Sequence, residues 1–251
     1  VIRPDGTGKR AITRGHDPAF SLDGRRLALV RDRRIFVFDI ATGRITRVAG
    51  VRGSSPSWSP DGRQIVVGGR LAVTVLGGGT RVIYGHNADA PSWAPDGKRI
   101  AFVSADTAGD GTEHRCGWTQ PFDVYTIEPS GKGLRRLTSD GNNFNPAWSP
   151  DGRRIAYFSV RSFVELWLMT MNADGSDKRV VRRIGEGVYP WVCWRAGHLG
   201  LAWAPDGRKF TLVAGPDIVT LDVDGSAMRR VTSGRDKIDW QRVPAETPTR
   251  S

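Results

Sequence analysis

The sequence predicts an all-β protein built from repeated four-stranded antiparallel units, and three observations predict it. One short motif occurs five times: Pro18-Ala-Phe-Ser-Leu-Asp-Gly, Pro56-Ser-Trp-Ser-Pro-Asp-Gly, Pro91-Ser-Trp-Ala-Pro-Asp-Gly, Pro146-Ala-Trp-Ser-Pro-Asp-Gly and Leu201-Ala-Trp-Ala-Pro-Asp-Gly. Its aspartates, Asp23, Asp61, Asp96, Asp151 and Asp206, are separated by 38, 35, 55 and 55 residues, a single unit with insertions in two places. Between copies run three further short apolar stretches broken by turn residues, so each unit reads as four strands. A lone meander of this kind cannot bury both faces. Packing the units radially, sheet against sheet, buries them, and that architecture is a β-propeller.

The fourth unit shows the pattern most fully. Pro146–Trp148 is strand A, and Ser149-Pro-Asp-Gly is a turn in which proline presets φ and glycine accepts a positive φ. Ile155–Phe158 is strand B, Glu165–Met171 is C, Asn172-Ala-Asp-Gly-Ser is a second turn, and Arg179–Ile184 is D. The first unit places B, C and D at Leu27–Val30, Ile35–Asp39 and Ile45–Val48. The second places them at Ile65–Val67, Leu71–Val75 and Arg81–Tyr84, the third at Ile100–Val103, Phe122–Ile127 and Leu134–Thr138, and the fifth at Phe210–Val213, Ile218–Asp222 and Met228–Thr232.

The ends complete the pattern. Residues Val1–Thr13 match the C-turn-D half of a unit, and Ile238–Trp240 match strand A, so together they predict a composite sixth blade that lacks B and most of C. A five-bladed ring with loose ends is the alternative. The domain prediction is one propeller over 1–243, with the Pro- and Thr-rich 244–251 as a disordered tail or linker. Val1 falls inside a predicted strand, which reads as a processed or engineered boundary.

The Pro-x-Trp-Ser-Pro-Asp-Gly-[Arg/Lys]-x-Ile-Ala-Phe units, with Asp-Gly-Ser or Asp-Gly-Thr turns and Arg-x-Leu-Thr ends, resemble the TolB-type six-bladed propeller repeat over nearly all of residues 1–243. The resemblance is to the propeller alone, without the N-terminal domain that TolB carries. It implies a fold more than an activity. The same repeat serves bacterial envelope proteins, gating domains of some serine peptidases and certain pectate-type lyases, and a fold does not settle a function.

Composition narrows the classes. No run of about 18 apolar residues occurs, so no membrane-spanning helix is expected. The net charge of +11 is mostly arginine, 31 of 37 basic residues, which raises a polyanion partner. Many of these residues recur with the repeat in the A–B turns: Arg25, Arg26, Arg63, Lys98, Arg99, Arg153, Arg154, Arg208 and Lys209. They read as solvated turn and edge charge. No aromatic residues interleave with them to stack on bases, so nucleic acid is not an expected partner.

Strands alternate in direction, so D–A and B–C loops share the face opposite those turns, around the channel mouth. All four histidines are predicted there: His16, His86, His114 and His198, with Asp17, Asp89, Asn142 and Asn143 in matching loops. A metal or catalytic cluster is one reading. Solvated or packing histidines are the other, and no zinc spacing is present. The two insertions, Ala105–Pro121 and Gly185–Gly200, bring Trp118, Trp191 and Trp194 to the same face outside the repeat. These are either a binding surface or a small core for the insertions themselves.

Each insertion carries one cysteine. A Cys116–Cys193 disulfide would close 77 residue steps and stabilise by about 4–4.5 kcal/mol, implying an oxidising compartment. Two free thiols are the alternative.

No Gly-x-Ser-x-Gly, phosphate-binding glycine loop or metal motif occurs. The functional expectation is therefore a non-catalytic, monomeric binding propeller, periplasmic or secreted. It needs no cofactor and takes a protein segment, peptide or glycan at the channel mouth. The alternatives are a metal-assisted lyase or hydrolase using the four histidines, and the propeller domain of a larger sensor or peptidase.

Overall fold

The computed structural model describes residues 2–3, 5–105, 122–162, 165–186, 200–214 and 216–233. Strands β1 (His16–Phe20), β2 (Arg26–Arg31), β3 (Arg34–Asp39) and β4 (Ile45–Arg52) form an antiparallel sheet in sequence order. Strands β11 (Asn143–Trp148), β12 (Arg154–Ser162), β13 (Glu165–Asn172) and β14 (Arg179–Glu186) form another. So do β15 (Leu201–Trp203), β16 (Lys209–Ala214), β17 (Asp217–Asp222) and β18 (Arg229–Ser233). These are the first, fourth and fifth repeat units.

The second and third units share one six-stranded sheet made of β5 (Ser54–Trp58), β6 (Gln64–Val75), β7 (Thr80–Trp93), β8 (Ile100–Ala105), β9 (Phe122–Ile127) and β10 (Arg135–Arg136). Strand β6 contains both B and C, and the Leu76 N–H donates to the Arg63 carbonyl at 3.0 Å as it doubles back. Strand β7 runs from the outer strand of unit two straight into the inner strand of unit three, which joins their hydrogen bonding.

The described residues thus form an all-β propeller of antiparallel blades in four sheets, not the six expected. The difference has two sources: units two and three share a sheet, and no sixth sheet forms among the described residues. No strand forms among the described residues before His16, and Ile238–Trp240 lies outside the described residues. What the N-terminal segment does form is a turn. Arg3 N–H donates to the Thr7 carbonyl and Gly6 N–H to the Arg3 carbonyl, the same pair of bonds that closes the C–D turns at Glu128, Asn172 and Asp222.

Each of those turns rests on the unit before it. A Cβ at Gly225 would collide with the Val181 carbonyl oxygen, and one at Gly131 would crowd the Ile83 carbonyl. Gly6 meets the Val231 carbonyl of β18 in the same way, at φ 85°. The start of the chain therefore docks on the last described strand.

The core lies between units. Val66 faces Trp93, Ile100 and Phe102 of the next unit, whereas its neighbours Ile65 and Val67 face Ala28, Val30 and Ile35 of the previous one. A strand alternates its side chains between two faces. Both faces are buried here, so strand B reads as an unbroken apolar run. The fourth unit repeats this, with Ile155 and Tyr157 toward unit three and Ala156 and Phe158 toward unit five. The strand A tryptophans cap each layer. Trp58 Nε1 donates to the Ala19 carbonyl at 2.9 Å, and Trp203 Nε1 to the Ala147 carbonyl at 3.0 Å, tying adjacent units at the axis.

The A–B turns carry their own bracing. Ser59 Oγ donates to Asp61 at 2.5 Å and accepts the Gln64 N–H at 2.9 Å, while Arg63 N–H donates to Asp61 at 3.0 Å. The Ser59 hydroxyl, then the Arg63 amide, hold the Asp61 carboxyl below its usual range. Asp151 is held down by Ser149 and Arg153 in the same order.

Candidate functional site

The first strand of every described unit lines a central channel of about 270 Å³, which passes Asp17, Ser55, Ala90, Asn145 and Gly200 at one end and the four strand A tryptophans further in. At that end the backbone departs from an ordinary strand. Asp17, Ser55, Ala90 and Asn145 have φ of 50°, 51°, 49° and 49°, and each precedes a proline. Non-glycine residues rarely adopt this conformation, and proline disfavours helical dihedrals in the residue before it. The pairing of strand A with strand B slips at each of these positions. Four bulges of one kind therefore ring the mouth, and strained backbone of this sort persists only where its surroundings hold it.

Hydrogen bonds across the units supply that restraint. Asp17, 4% exposed, accepts the Ser55 N–H at 3.0 Å. Asp89 Oδ1 accepts from Ser55 Oγ at 2.8 Å, Ser54 Oγ at 3.2 Å and the Ala90 N–H at 2.7 Å. Asp17, Ser55 and Asp89 so link three units into one polar arc. His16 flanks it, half exposed, with Nδ1 3.6 Å from Asp17 Oδ2.

The asparagine side of the mouth is arranged differently. Asn143 is 1% exposed, and its Nδ2 lies within hydrogen-bonding distance of Asp123, Asp140, Thr138 and the Gly141 carbonyl. Asp123, fully buried, also accepts from Arg136 at 2.5 Å and Thr138 at 2.6 Å. This is an internal brace between units three and four. Nearby, burial first and then the Asp140 charge push the Tyr157 phenol up to about 12.

Of the residues expected at the mouth, Asp17 and Asp89 join the arc and Asn143 joins the brace. Asn142 is exposed, at φ 61°, and its carbonyl accepts the Val160 N–H at 2.9 Å. His16 and His86 belong to β1 and β7 rather than to loops, and His86 packs edge-on to Tyr84 at 5.3 Å. His114, Trp118, Trp191, Trp194 and His198 lie outside the described residues, as do Cys116 and Cys193. Among the described residues, no group of three or more histidine, cysteine or acidic side chains could hold a metal ion.

Sequence reasoning missed Ser54, Ser55 and Asp123. The signal for Ser55 was its place directly before a repeat proline, with Ser54 beside it. Asp123 gave only a lone acid opening an apolar strand. Chemically, the mouth presents carboxylate, hydroxyl and amide groups at fixed positions over an apolar, proline-lined shaft, which suits hydrogen bonding to an extended chain.

No family model matches the chain. A stretch of 70 residues, 28% of the chain, is 37% identical to the Tol-Pal system protein TolB of Geobacter sulfurreducens and spans 16% of that protein. Another of 93 residues, 36% of the chain, is 31% identical to dipeptidyl-peptidase 5 of Porphyromonas endodontalis and spans 12% of it. Among solved structures, a protein of Agrobacterium tumefaciens assigned to TolB superposes with a TM-score of 0.71 at 20% identity, over 92% of this chain and 89% of that one. TolB of Acinetobacter baumannii gives 0.60 at 19% identity, over 80% and 49%. An oligogalacturonate lyase in complex with manganese gives 0.58 at 17%, over 88% and 66%. At these identities the structures show the fold alone. The chain is similar to TolB-type β-propellers in architecture and, over a short stretch, in sequence.

Proposed function

We propose that the chain is a non-catalytic binding propeller whose channel mouth takes a protein segment in extended form. The observation that carries this reading is the ring of bulges at Asp17, Ser55, Ala90 and Asn145, which fixes polar groups from four units around one opening. Such a collar is built before any partner arrives, which reduces the ordering cost of binding. The TolB resemblance supports placing the protein outside the cytoplasm, and a Cys116–Cys193 disulfide would agree with that. The N-terminal turn on β18 supports a sixth unit completed from both ends of the chain.

The test is a peptide selected against the protein from a random library and mapped by amide hydrogen exchange. Protection is expected at 16–18, 54–56, 89–91 and 143–146. Protection confined to the A–B turns would remove the channel mouth from consideration. Stoichiometric manganese binding with formation of an unsaturated product from an oligogalacturonate would replace binding with lyase chemistry.

A further inference from the structure

The units differ in one ion pair. In units three and five, the acid opening strand C pairs with an arginine on strand D: Asp123 with Arg136 at 2.5 Å and Asp217 with Arg230 at 2.9 Å. Unit four makes the same kind of pair between Glu165 and Arg183 at 3.0 Å. In units one and two the opening position holds Arg34 and Arg70. Arg34 stands opposite Arg52, and Phe36, two residues on, stands opposite Arg47, so like charges replace the pair. Buried Arg34 Nε has no hydrogen-bond partner.

These arginines form one surface. The Gly53 N–H donates to the Arg33 carbonyl at 3.0 Å, and Gly53 sits so close to the Gly68 carbonyl that no side chain would fit between them. The B–C tip of unit one, the end of β4 and the Gly68-Gly69-Arg70 tip of unit two are therefore contiguous. Asp32 and Arg33 both have positive φ, 50° and 58°, a hairpin geometry that ordinarily selects glycine or asparagine. The tip is thus strained, with Arg33 exposed. Among the described residues, Arg33, Arg34, Arg52 and Arg70 form no ion pair.

We infer that this sector docks acidic side chains of a peptide partner, beside the channel mouth. The inference rests on the reading above for the partner being a peptide. Guanidinium groups match carboxylates in a planar two-point fork. The patch spans two hairpin tips. It adjoins Asp17 and Asp89, whose charge repels a long polyphosphate but not a peptide that changes character along its length. No exposed aromatic residue interleaves with it, so nucleic-acid bases find no stacking platform.

A fluorescent oligoglutamate peptide and inorganic polyphosphate serve as probes, titrated at low ionic strength. Arg52→Glu with Arg70→Glu, both exposed, is expected to weaken oligoglutamate binding about tenfold. An equal charge change on the opposite face, Arg63→Glu with Arg153→Glu, is expected to alter it less than about twofold. Equal losses in both variants, no binding by the wild type, or tighter binding of polyphosphate through the same arginines would each overturn the inference. If the sector variant alone loses oligoglutamate while selected peptides leave the mouth amides unprotected, the acidic docking sector stands and the channel-mouth reading falls.

Discussion

The two faces of the propeller solve one architectural problem in opposite ways. On the A–B turn face, every unit performs the same task with the same local chemistry. The serine and aspartate of each turn satisfy one another, and where Ala94 and Ala204 replace the serine, the backbone bonds Ala94–Arg99 and Ala204–Lys209 persist at 2.8 Å. On the mouth face the units differ: a carboxylate arc in units one to three, a buried brace between units three and four, and, among the described residues, arginines without an ion pair in units one and two. Redundancy makes the first face tolerant. Its absence makes the second face specific, so substitutions should have larger effects at the mouth than at the turns.

The strongest check is Asp123→Ala. It leaves Arg136, Thr138 and Asn143 without their shared acceptor in a buried position. A loss of about 1–3 kcal/mol is expected in denaturant unfolding, from the buried hydrogen bonds left unmade. A loss as small as that of a turn substitution would break the contrast between the faces.

Arg34→Glu runs the comparison the other way, restoring to unit one the acid that the later units carry. It places a carboxylate across from Arg52 and near Arg47, and a gain of up to about 1 kcal/mol is expected at low salt, shrinking as salt is raised. Urea unfolding at two ionic strengths reads it directly.

The smallest effect belongs to Ser59→Ala, which mimics units three and five and should cost about 0.5–1 kcal/mol. It carries a pH signature. Asp61 has its carboxyl lowered in the fold, so its contribution is complete above about pH 4 and disappears as pH falls through the folded value. Without the Ser59 hydroxyl that shift shrinks, and the acid limb of the stability profile becomes shallower.

Much of the fold was legible because the repeat encodes local chemistry. Every described B, C and D strand overlaps its expected span, and the tryptophan of the repeat motif marks the interunit layers. The mouth was less legible because its geometry runs against local preference. A residue before proline is expected to be extended, yet Asp17, Ser55, Ala90 and Asn145 are left-handed, a conformation imposed by neighbouring units rather than by their own sequence. Asn143 looked like a binding group because asparagine in a loop commonly is one. Only the three-dimensional convergence on Asp123 shows it as internal support. The number of sheets was misread for a related reason, since a continuous β7 cannot be told from two strands and a loop by composition.

The turn at Gly6 gives the molecule a seam. Units one to five each stack on a neighbour close in sequence, and such stacking can proceed stepwise from any starting point. The contact between Gly6 and Val231 joins positions 225 residues apart, so it must wait for the rest of the ring and carries the largest loop-closure entropy. The propeller thereby has one defined line at which the first and last described segments of the chain meet.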